Sequence, residues 1–259
     1  MDLASLKSIL RTLPITAIRY YPTTGSTNGD ALKWANADAP DSALVVADHQ
    51  TSGHGRLGRK WVTTPGSSLA FTVIFHPTLK EKKNLALFSP LGALAVSQAI
   101  QNKCGIQARV KWPNDVLLNR QKVCGVLAES LWVGIELTTL VLGIGVNIGA
   151  ASIPLQKDLL FPATCLESEC GHPIDRELFL KDVLSAIFKL RKSLCQQDFI
   201  DLWESQSAFI GENIRLDLPD QKIIAGVMHG IDRYGNLRVL MAGGEENVFS
   251  IGDVKLRPV

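Results

Sequence analysis

The chain has 259 residues, enough for one large domain and a small one, and its composition is that of an ordinary globular protein. Its 27 basic and 25 acidic residues give a formal net charge of +2, which argues against a nucleic-acid-binding or membrane-surface protein. No apolar run approaches the roughly 20 residues that cross a bilayer, and the first residues lack the apolar core of a signal peptide. We therefore expect no action on a membrane or on DNA.

The cysteines and histidines indicate neither disulfides nor a metal site. There are five cysteines, an odd number without a C-x-x-C pair, which favours reduced thiols and a cytoplasmic location. The histidines show no metal-ligand spacing, so we expect no metal held by protein side chains.

Hydrophobic periodicity and turn residues predict mixed helices and strands in the first 211 residues. Helices are predicted over residues 1–13, 30–35, 90–103, 175–197 and 199–209, and strands over 15–21, 43–47, 69–75, 109–118, 123–132 and 138–148. Ser26 or Thr27 would cap the second helix, and Ser89 would cap the third, with Pro90 at its first position. Residues 151–174 read as irregular because prolines and glycine interrupt them.

After Gly211 the sequence changes to short β runs separated by turn signals. The runs cover residues 214–218, 223–228, 237–241 and 247–250. Runs of this length and spacing predict a small β-barrel. We therefore divide the chain into residues 1–211 and a C-terminal unit of residues 212–259.

The segment that ends at Trp61 is the most unusual in the sequence, and we call residues 50–61 the glycine loop. Three glycines within six residues give it little propensity for helix or strand and let backbone N–H groups approach a bound group. Arg56, Arg59 and Lys60 add three cations, and Trp61 adds a flat apolar ring. Such a loop suits a small polyanionic ligand. For this segment alone, the alternative is a solvated surface loop.

Residues 53–58 match G-x-G-x-x-G, a pattern that also marks dinucleotide-binding sites. In those sites the last glycine opens a helix whose N-terminus holds the pyrophosphate. Here the last glycine is followed by Arg59, Lys60 and Trp61 and soon by Pro65, which is not a helix start. The Walker pattern fails as well, because Lys60 precedes Trp61 rather than Ser or Thr.

Three further segments place polar groups at the ends of predicted elements. Lys111 and Asp115 flank a proline at the end of a strand, where the alternative reading is a strand-end ion pair with a turn. Two glycines in the apolar strand before Asn147 permit close backbone approach. Helix capping alone would explain one hydroxyl among residues 26–28. Two hydroxyls and an amide at a helix start can also bind the polar head group of a ligand.

Five segments in register carry a resemblance to a known family. They are Gly25-Ser26-Thr27-Asn28, Gln50 with Gly53-His54-Gly55-Arg56-Leu57-Gly58-Arg59-Lys60-Trp61, Lys111-Trp112-Pro113-Asn114-Asp115, Lys122-Val123-Cys124-Gly125-Val126-Leu127 and Gly143-Ile144-Gly145-Val146-Asn147. In this order they resemble the biotin protein ligase family over residues 16–149.

The resemblance implies a mixed α/β catalytic domain of the class II synthetase-like biotin/lipoate ligase fold, followed by an SH3-like β-barrel. It also implies a two-step reaction with ATP and Mg²⁺. Biotin carboxylate attacks the α-phosphate of ATP to give biotinyl-AMP, and a lysine of a biotin carboxyl carrier protein of a carboxylase then takes the biotinyl group. The cationic loop fits this chemistry, because two anions react only where positive charge is already in place.

The resemblance also implies roles for single residues. Lys111 would bridge the biotin carboxylate and the α-phosphate as a catalytic residue, with Arg56 beside the reacting atoms. The implied biotin-binding residues are Ser26, Thr27, Asn28, Gln50, Gly53, His54, Gly55, Arg56, Lys111 and Gly125. The implied ATP-binding residues are Arg56, Arg59, Trp61, Lys111, Asn114 and Asn147. The glycine loop would close over the intermediate, which water destroys.

Two features depart from the family pattern. His54 stands where a basic residue is common between the first two loop glycines, and histidine changes charge near neutral pH. Only about 15–20 residues precede the resemblance, too few for a DNA-binding domain. The resemblance therefore implies the monofunctional type.

Three rival functions remain open at this point. They are a lipoate or octanoate ligase or transferase of the same superfamily, a biotin-sensing DNA-binding repressor, and a ligand-binding module without catalysis. The short N-terminal stretch and the balanced charge argue against the repressor. An exposed strand edge could pair with a second copy or with the carrier, which leaves a homodimer open.

Overall fold

The computed structural model of the chain describes residues 1–154, 161–250 and 252–256. Within them the α-helices are α1 (Leu3–Leu10), α2 (Thr27–Ala35), α3 (Leu79–Lys82), α4 (Phe88–Cys104), α5 (Leu166–Cys170), α6 (Arg176–Arg191) and α7 (Gln197–Gln206). The strands are β1 (Ile18–Thr24), β2 (Ala43–Gln50), β3 (Ser68–Phe75), β4 (Arg109–Lys111), β5 (Asp115–Leu118), β6 (Gln121–Val133), β7 (Glu136–Asn147), β8 (Asn213–Asp217), β9 (Ile223–Ile231), β10 (Leu237–Leu240), β11 (Glu246–Phe249) and β12 (Asp253–Leu256). None of the helices in these residues combines the length and apolar character needed to cross a membrane.

The strands form two sheets. Seven of them form a mixed sheet in the order β1-β2-β3-β7-β6-β5-β4, in which β1 and β2 run parallel and the other neighbours antiparallel. Strands β8 to β12 form an antiparallel sheet in the order β11-β10-β9-β8-β12. The mixed α/β architecture and the small C-terminal β unit predicted from the sequence are confirmed.

Helices cover both faces of the mixed sheet. On one face α4 and α6 pack together, and the rings of Phe75 and Phe88 lie 5.8 Å apart between centroids. α4 comes so close to β6 that a Cβ on Gly92 would lie 2.8 Å from Val126 Cγ1. On the other face α2 packs with Trp34 against the sheet. This second face, where α2 covers it only in part, carries the site described below.

The predicted strand over residues 109–118 is two strands. β4 and β5 form an antiparallel pair joined by residues 112–114, and Lys111 lies opposite Asp115. Pro113 lacks the backbone N–H that a continuing strand would use, so the chain reverses there. The reversal makes Lys111 and Asp115 cross-strand neighbours.

The predicted cap of α2 is confirmed, whereas that of α4 is wrong. The Ser26 hydroxyl accepts a hydrogen bond from the Gly29 N–H at the start of α2. α4 begins at Phe88, directly after a 3₁₀ turn at Leu85–Leu87, so Ser89 lies inside its first turn. Because the 3₁₀ turn leads directly into the helix, no side-chain cap forms there.

In the first half of the chain, α3 is not predicted, and α1 and β1 have different bounds from the predicted helix and strand. Further differences are in the second half. The helix predicted over residues 175–197 is α6 and already ends at Arg191, and the helix predicted over 199–209 is α7 and already begins at Gln197. The stretch predicted as irregular contains α5, and its residues 155–160 lie outside the described residues. The C-terminal sheet has a fifth strand, β12, that is not among the predicted runs, although its four residues alternate between polar and apolar; its pairing with β8 makes it a strand.

The expectation of five reduced cysteines is wrong for two of them. Cys104, at the end of α4, forms a disulfide with Cys170, at the end of α5. The pair is 66 residues apart in the sequence, and only the packing of the two helix ends brings it together. Cys124, Cys165 and Cys195 are free.

Reducing the disulfide should lower the free energy of unfolding by about 2–4 kcal/mol, because the bridge restricts a long loop of the unfolded chain. Urea unfolding with and without dithiothreitol measures this change. A Cys170→Ser variant should resemble the reduced protein and should not respond to the reductant. Thiol titration of the unfolded, unreduced chain should find the three free cysteines. Finding all five would contradict the bridge.

Candidate active site

A cavity of about 700 Å³ lies on the face of the mixed sheet that α2 partly covers. β6 and β7 form its floor, and the N-terminus of α2 and the glycine loop form one side. β4, β5 and the start of β12 form the other side. The cavity wall therefore contains residues from both sheets.

All but one of the predicted site residues line this cavity. They are Ser26, Thr27, Asn28, Gln50, His54, Gly55, Arg56, Arg59, Trp61, Lys111, Asn114, Gly125 and Asn147. The exception is Gly53, where a Cβ would lie 2.5 Å from the Trp61 carbonyl oxygen and 2.9 Å from Gln50 Nε2. Gly53 thus lets the loop fold back on itself, and the Trp61 N–H donates to the Gly53 carbonyl oxygen at 2.8 Å.

The glycine loop forms a compact turn. The Gly55 N–H donates to the Arg59 carbonyl oxygen at 2.7 Å, around a 3₁₀ turn at Arg56–Gly58. Leu57 in this turn has a φ of 57°, a conformation that is uncommon for a residue with a side chain. The turn keeps Arg56 and Arg59 close together, and both line the cavity.

Alternating charges connect the mixed sheet, the glycine loop and the C-terminal sheet. Lys111 Nζ lies 3.1 Å from Asp115 Oδ2 and 3.4 Å from Asp253 Oδ1. Lys122 Nζ lies 2.5 Å from Asp115 Oδ1, and Arg59 Nη2 lies 2.7 Å from Asp253 Oδ2. We call these five residues the charge cluster. Its three cations face two carboxylates, which leaves an excess of positive charge beside the cavity.

Pairing outweighs burial in setting the charges of the cluster. Burial alone would raise the pKa of the Asp115 carboxyl, but Lys122 and Lys111 lower the pKa to about 2. Burial alone would lower the pKa of the Lys111 amine, but Asp115 and Asp253 raise it above its usual value. The pKa of Asp253 is lowered against the effect of burial by Lys111 and Arg59. Lys111, Asp115 and Asp253 are therefore charged at neutral pH.

Arg56, like Lys60, is a cation of the cavity wall that forms no side-chain ion pair within the described ranges. Its half-buried guanidinium forms no hydrogen bond or ion pair with any residue in the described ranges. Burial lowers the pKa of Arg56 against the attraction of Asp253 and Asp115, and an arginine so placed still stays charged. An unpaired cation in a cavity wall is available to an anionic ligand.

Trp61 lies directly on the glycines of the sheet. A Cβ on Gly145 would lie 2.3 Å from Trp61 Cε2, and one on Gly125 would lie 3.2 Å from Trp61 Cζ3. Lys122 Nζ is 5.6 Å from the centroid of the ring. Trp61 Nε1 is buried and finds no hydrogen-bond partner in the described part of the chain. Leaving a buried donor unpaired costs about 1–3 kcal/mol, and a ligand with an acceptor would satisfy it.

A group of neutral polar side chains lies at the start of α2, and we call Thr27, Asn28 and Gln50 the amide pocket. The Thr27 N–H donates to Gln50 Oε1 at 2.8 Å. Asn28 Nδ2 donates to Glu129 Oε2 at 2.7 Å. The same Glu129 oxygen lies 3.5 Å from His54 Nε2, which connects the pocket to the glycine loop.

Two of the predicted ATP-binding residues support the cavity wall. Asn114 Nδ2 donates to the Val126 carbonyl oxygen at 2.6 Å, and Asn147 Nδ2 donates to the Thr164 carbonyl oxygen at 3.0 Å. These bonds tie the turn after β4 to β6, and the end of β7 to the segment before α5. Contact of Asn114 and Asn147 with ATP stays a prediction.

Several known proteins are similar to this chain, and they point to one family. The biotin/lipoate A/B protein ligase family matches residues 20–147, and the biotin protein ligase C-terminal domain matches residues 209–257. The biotin–[acetyl-CoA-carboxylase] ligase of Paracoccus denitrificans is 36% identical, over 83% of this chain and 90% of its own length. The chain belongs to the biotin protein ligase family.

Other members of the biotin protein ligase family are similar over most of the chain. The bifunctional ligase/repressor BirA of Bacillus subtilis is 32% identical, over 92% of this chain and 73% of its own length. The biotin protein ligase from Aquifex aeolicus, solved in complex with biotin and ATP, has a TM-score of 0.79 at 30% identity and covers 95% of this chain and 100% of its own. The resemblance found in the five segments is confirmed, and with it the fold class and the ligase class of this protein.

Three residues at this ligase site were not predicted from the sequence. Asp253 belongs to β12, and no local pattern relates it to Lys111, 142 residues earlier. Lys122 stands in one of the five family segments, which is the signal by which it could have been found. Glu129 lies behind Asn28, outside the cavity wall.

The low pKa of Asp115 should make this ligase sensitive to acid. A carboxyl whose pKa falls from 3.8 to about 2 on folding stabilises the folded state above its unfolded pKa. That stabilisation is lost as the pH falls from about 4 to about 2. Asp115→Asn should therefore lower the free energy of unfolding at neutral pH by about 2 kcal/mol or more and flatten its pH dependence over this range. Urea unfolding across the range measures both, and an unchanged slope would contradict the assignment.

Gly143→Ala should destabilise the protein by about 1–3 kcal/mol, because there is no room for the added methyl group. Its Cβ would lie 1.9 Å from Asn28 Oδ1, so the Asn28 side chain would have to move. Gly29→Ala is the matched control, since its Cβ would meet only Ser26 Cβ at 3.7 Å. Thermal unfolding should show the control as stable as the wild type or more so, because alanine favours the helix.

Proposed function

We propose that this ligase activates biotin with ATP as biotinyl-AMP and transfers the biotinyl group to a lysine of a biotin carboxyl carrier protein. One observation carries the proposal: the positive charge cluster and the neutral amide pocket face the same cavity. The cluster suits two anionic groups, and the pocket suits an uncharged polar ring. The similar Aquifex aeolicus ligase was solved with biotin and ATP, which supports the choice of substrates.

In the first step a carboxylate oxygen of biotin attacks the α-phosphorus of ATP. A new P–O bond forms, the bond to the bridging oxygen breaks, and pyrophosphate leaves with that electron pair. Both reacting groups are negative, so the cations must be in place before they meet. Lys111 meets this need, because its raised pKa keeps it charged.

The cations near the cavity suit different tasks in this step. Lys111 is 3% exposed and held by two carboxylates, so we assign it the fixed positive charge beside the reacting atoms. The Lys122 side chain is 27% exposed and contacts one carboxylate, so its amine can turn towards the biotin carboxylate and the α-phosphate. Arg56 does not have to break an ion pair within the protein to bind a ligand, so we propose that it binds the α-phosphate as well. We therefore keep Lys111 and Arg56 as catalytic candidates and add Lys122.

The other predicted residues take supporting roles in the proposal. Arg59 and Trp61 would face the nucleotide, and the free Trp61 Nε1–H would find an acceptor there. The amide pocket would hold the ring of biotin, together with Ser26 at the helix cap. His54 and Arg56 belong to the glycine loop, which would close over biotinyl-AMP and keep water out.

The proposal includes Mg²⁺, which would neutralise charge on the phosphates of ATP. No group of three His, Cys, Asp or Glu side chains that could hold a metal occurs in the described ranges. Asp115 and Asp253, at the cavity, are already bound to lysines and to Arg59. These residues fit an ion that arrives bound to phosphate and water better than one held in a protein cage.

In the second step the neutral ε-amine of the carrier lysine attacks the acyl carbon of biotinyl-AMP. A C–N bond forms, the C–O bond to AMP breaks, AMP takes the electron pair, and the amine loses a proton. We propose that residues 1–211 form the catalytic domain and that residues 212–259 form a C-terminal domain contributing Asp253. A monofunctional ligase for the carrier of a carboxylase fits the balanced charge of the chain. A cytoplasmic location stays a prediction, and the Cys104–Cys170 disulfide removes the argument from reduced thiols on which it rested. A homodimer also stays a prediction.

The function is tested by incubating the protein with ATP, Mg²⁺, labelled biotin and an apo carrier domain. We expect label on a single carrier lysine and pyrophosphate release that requires biotin. Octanoate or lipoate in place of biotin should give neither. An acyl-adenylate formed from one of these acids but not from biotin would contradict the proposal and place the protein with the lipoate ligases.

Substitutions in the site should separate chemistry from folding. Arg56→Ala and Lys122→Met should each lower kcat for biotinyl-AMP formation by about 10²–10³-fold, because each removes charge at the transition state. Lys111→Met should lower kcat and also stability, because it leaves buried carboxylates with fewer partners. The matched control is Lys33→Met, because the Lys33 side chain is 83% exposed and, among the described residues, pairs only with Asp30. Wild-type kcat in both site lysine variants would contradict the assigned roles.

A further inference from the structure

The amide pocket is joined to two side chains that do not line the cavity, one fully buried and the other half-buried. Thr72, in β3, is fully buried, and Glu129, in β6, lies behind Asn28. Thr72 Oγ1 lies 2.6 Å from Asn28 Oδ1 and 2.9 Å from Thr27 Oγ1. Glu129 Oε2 lies 2.7 Å from Asn28 Nδ2. Both residues therefore touch the pocket rather than a ligand.

The surroundings fix the direction of the Asn28 amide. A carboxylate only accepts hydrogen bonds, so the amide atom beside Glu129 must be Nδ2. The Leu127 carbonyl oxygen, 3.3 Å from Nδ2, takes the second hydrogen. Asn28 Oδ1 accepts from the Thr72 hydroxyl and keeps one lone pair. Towards a ligand, Asn28 can therefore only accept.

The Gln50 amide is fixed in the direction opposite to that of Asn28, with its nitrogen rather than its oxygen available to a ligand. A backbone N–H only donates, so the Gln50 atom 2.8 Å from the Thr27 nitrogen must be Oε1. The Thr27 hydroxyl lies 3.1 Å from the same oxygen. Gln50 Nε2 makes no hydrogen bond within the described ranges, and both of its hydrogens remain available. Towards a ligand, Gln50 therefore presents donors.

We propose that Glu129 and Thr72 are positioning residues that determine which head groups the amide pocket accepts. They hold Asn28 as an acceptor beside the donor Gln50, so the pocket selects a ring that carries both an N–H and a C=O. A cyclic urea has both, whereas an aliphatic chain would leave both amides unpaired. This inference rests on the proposed function and deepens it. Sites built on buried polar groups reject a ligand that lacks a partner far more strongly than one that lacks a methylene.

Glu129 is the residue whose replacement can reverse the pattern. In Glu129→Gln the new amide can turn its NH₂ group towards Asn28. The Thr72 hydroxyl can accept as well as donate, so Asn28 can rotate its amide by half a turn and keep Thr72 and the new amide as partners, at the cost of the hydrogen bond to the Leu127 carbonyl oxygen. Asn28 would then present a donor to the cavity, where the wild type presents an acceptor. Thr72→Val removes one support, and Thr72→Ser keeps the hydroxyl.

The test compares biotin with two cyclic carbamate analogues, each with an oxygen atom in place of one ring N–H. Calorimetry without ATP measures the dissociation constants. The wild type should bind at least one analogue about 30-fold more weakly than biotin. In that analogue the ring oxygen that replaces N–H would face Asn28 Oδ1, and neither oxygen can donate a hydrogen bond. Glu129→Gln should bind biotin about tenfold more weakly and reduce the discrimination to about threefold or less. Thr72→Val should also lose about tenfold for biotin, and Thr72→Ser should restore it.

The outcomes separate this inference from the proposed function. Wild-type protein that binds no biotin overturns the proposed function and, with it, the inference. Equal losses for biotin and the analogues in Glu129→Gln, or unchanged discrimination, overturn the inference alone. If His54→Ala produces the same change in discrimination, the effect comes from the glycine loop and the inference fails. If Glu129→Gln does not fold, the two Thr72 variants provide the test. Equal biotin affinities of Thr72→Val and Thr72→Ser would then overturn the inference.

Discussion

The carboxylate of Asp253 forms the central contact of the structure, because it binds Lys111 on the mixed sheet and Arg59 on the glycine loop at the same time. An ammonium group as buried as that of Lys111 is tolerated only with close opposite charges. The fold provides two of them from distant parts of the chain. The reversal between β4 and β5 places Asp115 opposite Lys111, and the pairing of β12 with β8 places Asp253 within reach. A surplus of positive charge results, and it faces the cavity.

Glycines in β7 leave the floor of the cavity without side chains, so that other side chains can lie directly on the backbone of the sheet. Gly143 and Gly145 alternate along β7 and point to the α2 face, where Asn28 and Trp61 lie almost on the strand. Side chains at either position would displace these two residues. The glycines therefore place the neutral amide pocket and the Trp61 ring side by side, next to the charge cluster, within one cavity.

Local patterns in the sequence were sufficient to predict the features of the fold that depend only on residues close together in the chain. Alternation of apolar residues predicts the strands of the mixed sheet, and the hydroxyl of Ser26 predicts the start of α2. The glycines of β7 predict close approach, although the groups that approach are side chains of the same chain. Pro113 indicates a turn, but the apolar residues on both sides of it led to the prediction of one strand where the structure has β4 and β5. The family segments added the site residues, nearly all of which line one cavity.

Contacts between distant residues could not be predicted in this way. The partnership of Asp253 with Lys111, the Cys104–Cys170 disulfide and the support of Asn28 by Thr72 each join elements far apart in the chain. None of these residues stands in a local pattern that identifies its partner. Each pair follows from how the strands and helices pack, which single-sequence periodicity does not determine.

The position of Asp253 also has a consequence for synthesis. Lys111 and Arg59 leave the ribosome well before this residue does, and until β12 forms, Lys111 faces Asp115 alone. A nascent chain can therefore build the mixed sheet early and still lack the charge arrangement of the mature enzyme. The charge arrangement of the site is therefore complete only when β12 joins its sheet.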